Sequence, residues 1–111
     1  MSLPSPSPVR VALSTAPDGE TAARIARALV EERLAACVNL VPAVRSIYRW
    51  QDRVEDEAEV LLVIKTRAER VAALAARLRA LHPYELPELV ALPVAAGLGS
   101  YLEWVAAETA P

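Results

Sequence analysis

Two side chains in this sequence are of types that bind soft or borderline metal ions, and each type occurs once. Cys37 lies in the segment AACVN, and a thiolate prefers Cu(I) and zinc to hard cations. His82 lies in the segment LHPYE, and an imidazole suits copper, nickel and zinc. We therefore predict His82 and Cys37 as metal ligands for copper or another divalent metal ion.

Each of these residues also has a structural interpretation. A single Cys at the start of a strand is commonly a small buried core residue. An imidazole in the last turn of a helix can interact with the free carbonyl groups and the negative end of the helix dipole. Because imidazole suits Cu(II) and a buried thiol tends to stay protonated, Cu(II) binding is expected to depend on His82 more than on Cys37.

A second group of residues is aromatic or acidic. Tyr48 and Trp50 are two positions apart on a predicted strand and therefore share a face. Tyr84, Glu85 and Glu88 lie in the segment HPYELPE, where two prolines restrict the backbone. These five residues are candidates for a ligand cleft between subunits. The alternative is that they are rigid anchors of a subunit contact.

Other arrangements for chemistry are missing from the sequence. One His and one Cys supply no triad of nucleophile, base and orienting acid, and no CxxC zinc spacing occurs. The acidic run at 55–59 is interpreted as a solvated part of a hairpin that deters edge-to-edge strand pairing. We therefore predict that the protein is not an enzyme.

Composition excludes several classes of partner. The formal net charge is −2, from 12 basic and 14 acidic residues, and no basic stripe is present to follow a phosphate backbone. No apolar run approaches the roughly 20 residues of a membrane span, and no signal peptide is evident, so a cytoplasmic location is expected. The Ser/Pro-rich residues 1–8 are predicted to be a disordered tail, and residues 9–111 a single domain.

The elements that must position these residues follow from the hydrophobic pattern. Strands are predicted over 9–15, 36–50, 54–66 and 89–95, with a bend or bulge at Pro42 and a hairpin tip at 51–53. Helices are predicted over the segments that follow Asp18, over 67–82 and over 100–109. The order β-α-β-β-α-β-α indicates the α+β class. It is the order of a ferredoxin-like split β-α-β antiparallel sheet, with two main helices on one face and a short C-terminal helix.

The third predicted strand is apolar on both of its faces. Leu61 and Leu62 must face opposite sides of the sheet, because successive side chains alternate along a strand. One side packs on the helices, so an apolar residue on the other side indicates an interface. The sequence therefore predicts an oligomer in which both Leu61→Asp and Leu62→Asp are damaging.

Several segments resemble the CutA divalent-cation-tolerance family. The motifs AACVN, SIYRW, LLVIKT, HPYE and PE..ALP occur here in the order and spacing of that family, and the resemblance runs from about residue 9 to residue 104. It implies a homotrimer of ferredoxin-like domains, with an architecture similar to the nitrogen-regulatory PII signal transducers. In the family further cysteines are thought to help hold copper, and the matching places here are Ser14 and a position near Leu78.

The resemblance implies a role in divalent-cation tolerance, with copper binding in bacteria and a link to acetylcholinesterase anchoring in animals. The predicted function is a homotrimeric divalent-cation (copper) tolerance protein that binds a metal ion. The alternative is a non-catalytic trimeric scaffold or PII-like sensor, which binds a small ligand or a protein partner in clefts between its subunits.

Overall fold

A computed structural model describes residues 7–111, in which a four-stranded sheet packs against helices. The strand order is β2-β3-β1-β4, and all neighbouring strands are antiparallel. The α+β class and the predicted order of elements are confirmed. The elements are β1 (Val9–Ala16), α1 (Gly19–Glu31), β2 (Cys37–Trp50), β3 (Arg53–Arg67), a 3₁₀ turn (Ala68–Arg70), α2 (Val71–Leu81), β4 (Val90–Pro93) and α3 (Gly99–Glu108).

The described chain begins within the predicted Ser/Pro tail. Residues 1–6 of that predicted tail lie outside the described residues. Ser7 is buried, and its hydroxyl accepts a hydrogen bond from the Val9 amide at 3.1 Å. The Pro8 carbonyl accepts from the Ala68 amide at 2.8 Å. The contacts of the domain therefore begin two residues before the predicted boundary at Val9.

The two long helices lie on one face of the sheet, as predicted. The Asp18 carboxylate caps α1 by accepting from the Thr21 amide at 2.8 Å, and this hydrogen bond lowers the pKa of Asp18. The buried residues of this core come from alternate positions of β1 and β3 and from the apolar stripes of α1 and α2. They include Ala12, Ala16, Val60, Leu62, Ile64, Ile25, Leu29, Leu74 and Leu78.

The opposite face of the sheet is apolar but less covered. Leu61 and Val63 are half-buried there, whereas Leu62 on the helix side is 1% exposed. In β4, Val90 and Leu92 are about half exposed. The α3 helix packs over one end of this second face, where its Leu102 and Val105 contact Val9. We call this surface the open face.

The β2–β3 hairpin extends beyond the rest of the sheet. β1 pairs with β3 between Val60 and Arg67, so the segment from Arg53 to Glu59 pairs with β2 alone. The described chain is 48 Å long but 24 × 22 Å across, which reflects this projecting ribbon. We call residues 44–59 the hairpin arm.

The predicted irregularity near Pro42 is confirmed as a β-bulge. Val41 pairs with Leu61, whereas the next pair is Val44 with Glu59, so β2 has one residue more than β3 at this point. Ala43 takes a positive φ of 61° within the bulge. One extra residue exchanges the two faces of a strand. Even-numbered residues of β2 beyond the bulge therefore share the open face with odd-numbered residues of β3.

The hairpin turn is tighter than predicted. Gln51 and Asp52 form a two-residue turn in which φ is 49° and 63°, and two positive φ values are typical of a type I′ turn. Arg53, which the predicted tip included, already pairs with Trp50 as the first residue of β3.

The second long helix is shorter than predicted. It begins at Val71, after the 3₁₀ turn, and ends at Leu81, one residue before the predicted end. His82 has extended backbone angles (φ −81°, ψ 137°), although its amide still donates to the Leu78 carbonyl at 2.9 Å. The prediction that the His82 ring interacts with the free carbonyls of the last helical turn is wrong, because the ring contacts β1 instead.

The alternation of β3 gives a direct stability prediction. Leu62→Asp places a carboxylate among apolar side chains, and burying an unpaired charge costs several kcal/mol, roughly 3–5. We expect this variant to be unfolded or to melt far below the wild type in circular dichroism. The control is Ala23→Asp, an exposed position of α1, which is expected to change stability by about 0.5 kcal/mol or less. A Leu62→Asp variant that melts like the control would contradict the assigned face.

Candidate ligand cleft

The hairpin arm and the loop between α2 and β4 enclose a cleft of about 880 Å³. All five residues predicted as cleft or contact residues line it. The complete lining is Thr15, Ser46, Ile47, Tyr48, Arg49, Trp50, Glu59, Pro83, Tyr84, Glu85, Leu86, Pro87, Glu88, Leu89 and Val90. The structure thus brings together the hairpin arm and a loop that begins more than 20 positions later in the sequence.

The wall from the hairpin arm depends on cross-strand pairing. Tyr48 pairs with Glu55 and Ser46 with Glu57, so aromatic and acidic residues share one face of the arm. Trp50 and Tyr48 remain 36% and 39% exposed in the single chain. The wall is therefore a partly exposed aromatic surface with a row of carboxylates beside it.

The acidic run of β3 is divided between the two faces of the arm. Asp56 lies on the face opposite the other acids and forms a bidentate ion pair with Arg45. Arg45 Nε donates to Asp56 Oδ1 at 2.8 Å, and Nη2 donates to Oδ2 at 2.6 Å. This pair lowers the pKa of Asp56 and raises that of Arg45. Glu55, Glu57 and Glu59 lie at alternate positions on the open face. The solvated interpretation suits exposed Asp56, but Glu59 is 6% exposed.

The loop wall is fixed by the His82 ring. The Tyr84 amide donates to His82 Nδ1 at 3.1 Å, so this nitrogen is unprotonated and Nε2 carries the hydrogen. Nε2 then donates to the Thr15 carbonyl at 2.7 Å. The ring centroids of His82 and Tyr84 also lie 4.6 Å apart. The ring of His82 thus joins the loop to the end of β1, and both of its nitrogens have partners within the chain.

Tyr84 connects the two walls of the cleft. Its hydroxyl donates to Glu59 Oε2 at 2.7 Å. Burial raises the pKa of the Tyr84 phenol, and the hydrogen bond and negative charge of Glu59 raise it further. The phenol therefore stays protonated at physiological pH and acts as a hydrogen-bond donor rather than as a base.

Glu88 lies at the other end of the loop. Its backbone carbonyl accepts from the Ser14 hydroxyl at 2.7 Å, which holds the loop against β1. Ser14, a position where further cysteines of the family are expected, therefore has a structural contact of its own. Glu88 is exposed as a residue and lines the cleft, and partial desolvation raises the pKa of its carboxyl group, which the charge of Glu59 raises further.

The two predicted metal ligands lie apart. Cys37 is half-buried on the open face, where it pairs with Lys65, and the Lys65 ammonium lies 3.9 Å from the Cys37 sulfur. His82 bonds the carbonyl of Thr15, and Thr15 pairs with Leu61 of β3. Leu61 is four positions along β3 from Lys65, the partner of Cys37. At 3.3 Å per residue this separation is about 13 Å.

A metal centre formed by His82 and Cys37 of one chain does not fit this geometry. Both His82 nitrogens are engaged, and within residues 7–111 no group of three or more His, Cys, Asp or Glu side chains is arranged to hold a metal ion. The assignment of these two residues as metal ligands stays a prediction from the sequence.

Glu59 and Thr15 are among the ten cleft residues that were not proposed from the sequence, and they make the hydrogen bonds that hold the loop wall. Their partners are distant in the sequence: Glu59 bonds Tyr84, and Thr15 bonds His82 through its backbone. The alternation of side chains along β3 did indicate the face of Glu59, because this residue is two positions from Leu61 and therefore lies on the same face.

Comparison with known proteins identifies relatives of the whole domain. The chain matches the family of CutA1 divalent ion tolerance proteins over residues 10–108. Divalent-cation tolerance protein CutA of Thermus thermophilus is 54% identical over 99 residues, which cover 89% of this chain and 96% of that protein. Protein CutA of Homo sapiens is 50% identical over 100 residues, or 90% of this chain and 56% of that protein. The chain thus spans little more than half of the human relative.

Solved structures share the fold at high identity. CutA from Xylella fastidiosa superposes with a TM-score of 0.90 at 50% identity, covering 93% of this chain and 99% of that one. A PII-like protein CutA from Nostoc superposes with a TM-score of 0.84 at 47% identity, covering 90% of this chain and 96% of that one. With its sequence matched over nearly every described residue, the chain belongs to the CutA1 divalent ion tolerance protein family.

Proposed function

We propose that this protein acts in divalent-cation tolerance as a non-catalytic homotrimer, and that the cleft of about 880 Å³ is its ligand-binding site. The observation that carries the proposal is the composition of the cleft: one wall is the hairpin arm, which projects from its own sheet, and the other is a loop fixed by His82 and Ser14. The loop wall is held in place by hydrogen bonds, whereas the hairpin arm has no support from its own sheet. A second subunit that packs against the arm would complete the site.

The exposed apolar surface supports self-association. Ile47 and Val54 on the arm are 66% and 65% exposed, and β4 exposes Val90 and Leu92 on the open face. A two-stranded ribbon is marginally stable without a packing partner, and apolar patches of this kind mark interfaces. The number three comes from the resemblance to the family, which implies a homotrimer.

The topology supports a ferredoxin-like domain. The strand order β2-β3-β1-β4 places the first and third strands at the centre, with α1 and α2 as crossovers on one face. The match to a PII-like CutA favours the interpretation as a sensor, in which trimer clefts bind a ligand. No helix within residues 7–111 is long and apolar enough to cross a bilayer. A cytoplasmic location and the absence of nucleic-acid partners stay predictions.

Copper binding at His82 and Cys37 is the second candidate, and the family description of divalent ion tolerance favours keeping it. In this chain the cleft is the better-supported site. Using His82 as a ligand requires Nδ1 to release the Tyr84 amide or Nε2 to release the Thr15 carbonyl. Either change leaves a buried polar group without its partner, which costs roughly 1–3 kcal/mol.

The first prediction concerns assembly. Leu61→Asp puts a carboxylate on the open face, and an unpaired charge buried between subunits is expected to dissociate the oligomer. Sedimentation equilibrium should give three times the chain mass of 12.0 kDa for the wild type and one chain mass for Leu61→Asp, which should still be folded.

The matched control for this experiment is Leu61→Met, which keeps volume and polarity and should stay trimeric. A wild-type monomer, or a Leu61→Asp variant that keeps both its trimer mass and its melting temperature, would refute the proposed interface.

A second prediction separates the cleft from a copper centre. In His82→Gln the terminal amide can still donate to the Thr15 carbonyl, while the strong imidazole ligand is lost. In calorimetric titration with Cu(II), we expect His82→Gln and Cys37→Ser to bind within about twofold of the wild type, a difference of less than about 0.5 kcal/mol. A loss of about tenfold or more in a His82→Gln protein of normal melting temperature would restore the copper assignment.

A third prediction concerns pH. In the folded protein the pKa of Glu88 is raised above its ordinary value of 4.5. At pH values between the ordinary pKa and the raised pKa, the folded protein therefore binds more protons than the unfolded chain. Stability must therefore fall as pH rises through this window. Glu88→Gln removes the effect, and its melting temperature should exceed that of the wild type above the window and converge with it below pH 4.5.

The control is Glu85→Gln, which removes one negative charge from the same exposed loop. If the two melting curves of Glu88→Gln and wild type keep a constant separation from pH 3.5 to 8, the assigned electrostatics of the cleft are wrong.

A further inference from the structure

Glu59 is a buried carboxylate without a basic partner in the described chain. It is 6% exposed, and its side-chain hydrogen bond comes from the neutral Tyr84 hydroxyl. The ion pairs within residues 7–111 join other acids, such as Asp56 with Arg45, and leave Glu59 out. Burying a charge without a counter-charge is costly, so a positive group is expected beside it.

Other carboxylates lie near Glu59. Glu57 lies two positions away on the same face, and Glu88 lines the same cleft, where the charge of Glu59 raises the pKa of its carboxyl group. The cleft lining holds three glutamates and one arginine. That arginine, Arg49, is exposed and lies between Tyr48 and Trp50 along β2, so it starts from the opposite face of the arm. The cleft therefore has an excess of negative charge.

The chemistry of the lining favours an organic cation over a bare metal ion. The acids are not grouped as metal ligands within residues 7–111. The same cleft presents the aromatic rings of Tyr48, Trp50 and Tyr84. Aromatic faces attract ammonium groups, and they also contact the hydrocarbon part of such a molecule. A volume of about 880 Å³ is within the range of small-molecule sites.

We propose that the cleft binds a small organic molecule with an ammonium group, whose charge is neutralised by Glu59 and Glu88 and whose hydrocarbon part contacts Tyr48 and Trp50. This inference rests on the proposed function, since it assigns a ligand class to the same cleft. The competing source of positive charge is a basic side chain of a neighbouring subunit.

The experiment uses the full chain and three probes: the chloride salts of butylammonium, putrescine and choline. Each has a neutral counterpart of similar shape, namely 1-butanol, 1,4-butanediol and 3,3-dimethylbutan-1-ol. Two-dimensional amide spectra recorded during titration should show saturable shifts in the 82–90 loop and the hairpin arm for at least one cation. Its neutral counterpart should produce no such shifts.

Two variants locate the charge contact. Glu59→Gln and Glu88→Gln should each weaken binding of that cation, by about tenfold for Glu59→Gln, as for loss of a hydrogen bond to a charged group. Asp56→Asn is the matched control. It removes a carboxylate from the same strand but from the opposite face, and binding should stay within about twofold of the wild type.

The outcomes distinguish this inference from the proposed function. If the protein is a trimer and none of the three cations gives shifts that depend on Glu59, the ammonium ligand is refuted and the trimeric cleft stands. Loss of the trimer in Glu59→Gln, together with an absence of cation binding, would assign the positive charge to a neighbouring subunit. A wild-type monomer would refute the proposed function itself.

Discussion

Successive side chains of β3 alternate between two faces, and the rest of the molecule depends on this constraint. Leu62 and Ile64 on one side close the core beneath α1 and α2. Leu61 and Val63 on the other side make the open face apolar. Toward the N-terminal end of β3 the same side carries Glu55, Glu57 and Glu59, so this surface changes from apolar to acidic along the strand. The stability of the single chain and the character of its cleft are thus set by opposite faces of one strand.

The bulge at Pro42 and Ala43 determines which side chains of β2 meet those glutamates. Without the extra residue, the alternation of β2 would place Tyr48 and Trp50 on the other face of the hairpin, away from Glu59. The positive φ of Ala43 is strained for a residue with a side chain, and proline cannot donate to the ladder. A local irregularity that disfavours regular strand pairing therefore brings the aromatic and acidic residues of the cleft together.

Much of the fold follows from local patterns. The spacing of Ile25 and Leu29, the polar turn after Trp50 and the proline at 42 predict a helix, a hairpin and a bulge, because each is decided by neighbours in the sequence. The five cleft residues were also proposed from the sequence, but their arrangement was not.

The parts that the sequence left open depend on contacts over long distances in the chain. His82 bonds Thr15 across 67 positions, Ser14 bonds Glu88 across 74, and Tyr84 bonds Glu59 across 25. The hydrophobic periodicity of the sequence gives no signal for contacts between such distant residues. For the same reason the sequence could not show that the single imidazole has both nitrogens occupied, which is the fact that separates the cleft from the copper site as candidates.

The open face carries opposite charges toward its two ends. Lys65 lies near one end of the β3 surface and the three glutamates near the other. In a two-fold dimer the same patch meets itself, so like charges can oppose one another, whereas a cyclic trimer joins two different patches at each contact. An acidic hairpin arm that meets a different surface of the next subunit avoids self-repulsion. In the proposed homotrimer, the acidic end of β3, with Glu59, would therefore meet a surface of the neighbouring subunit that differs from itself.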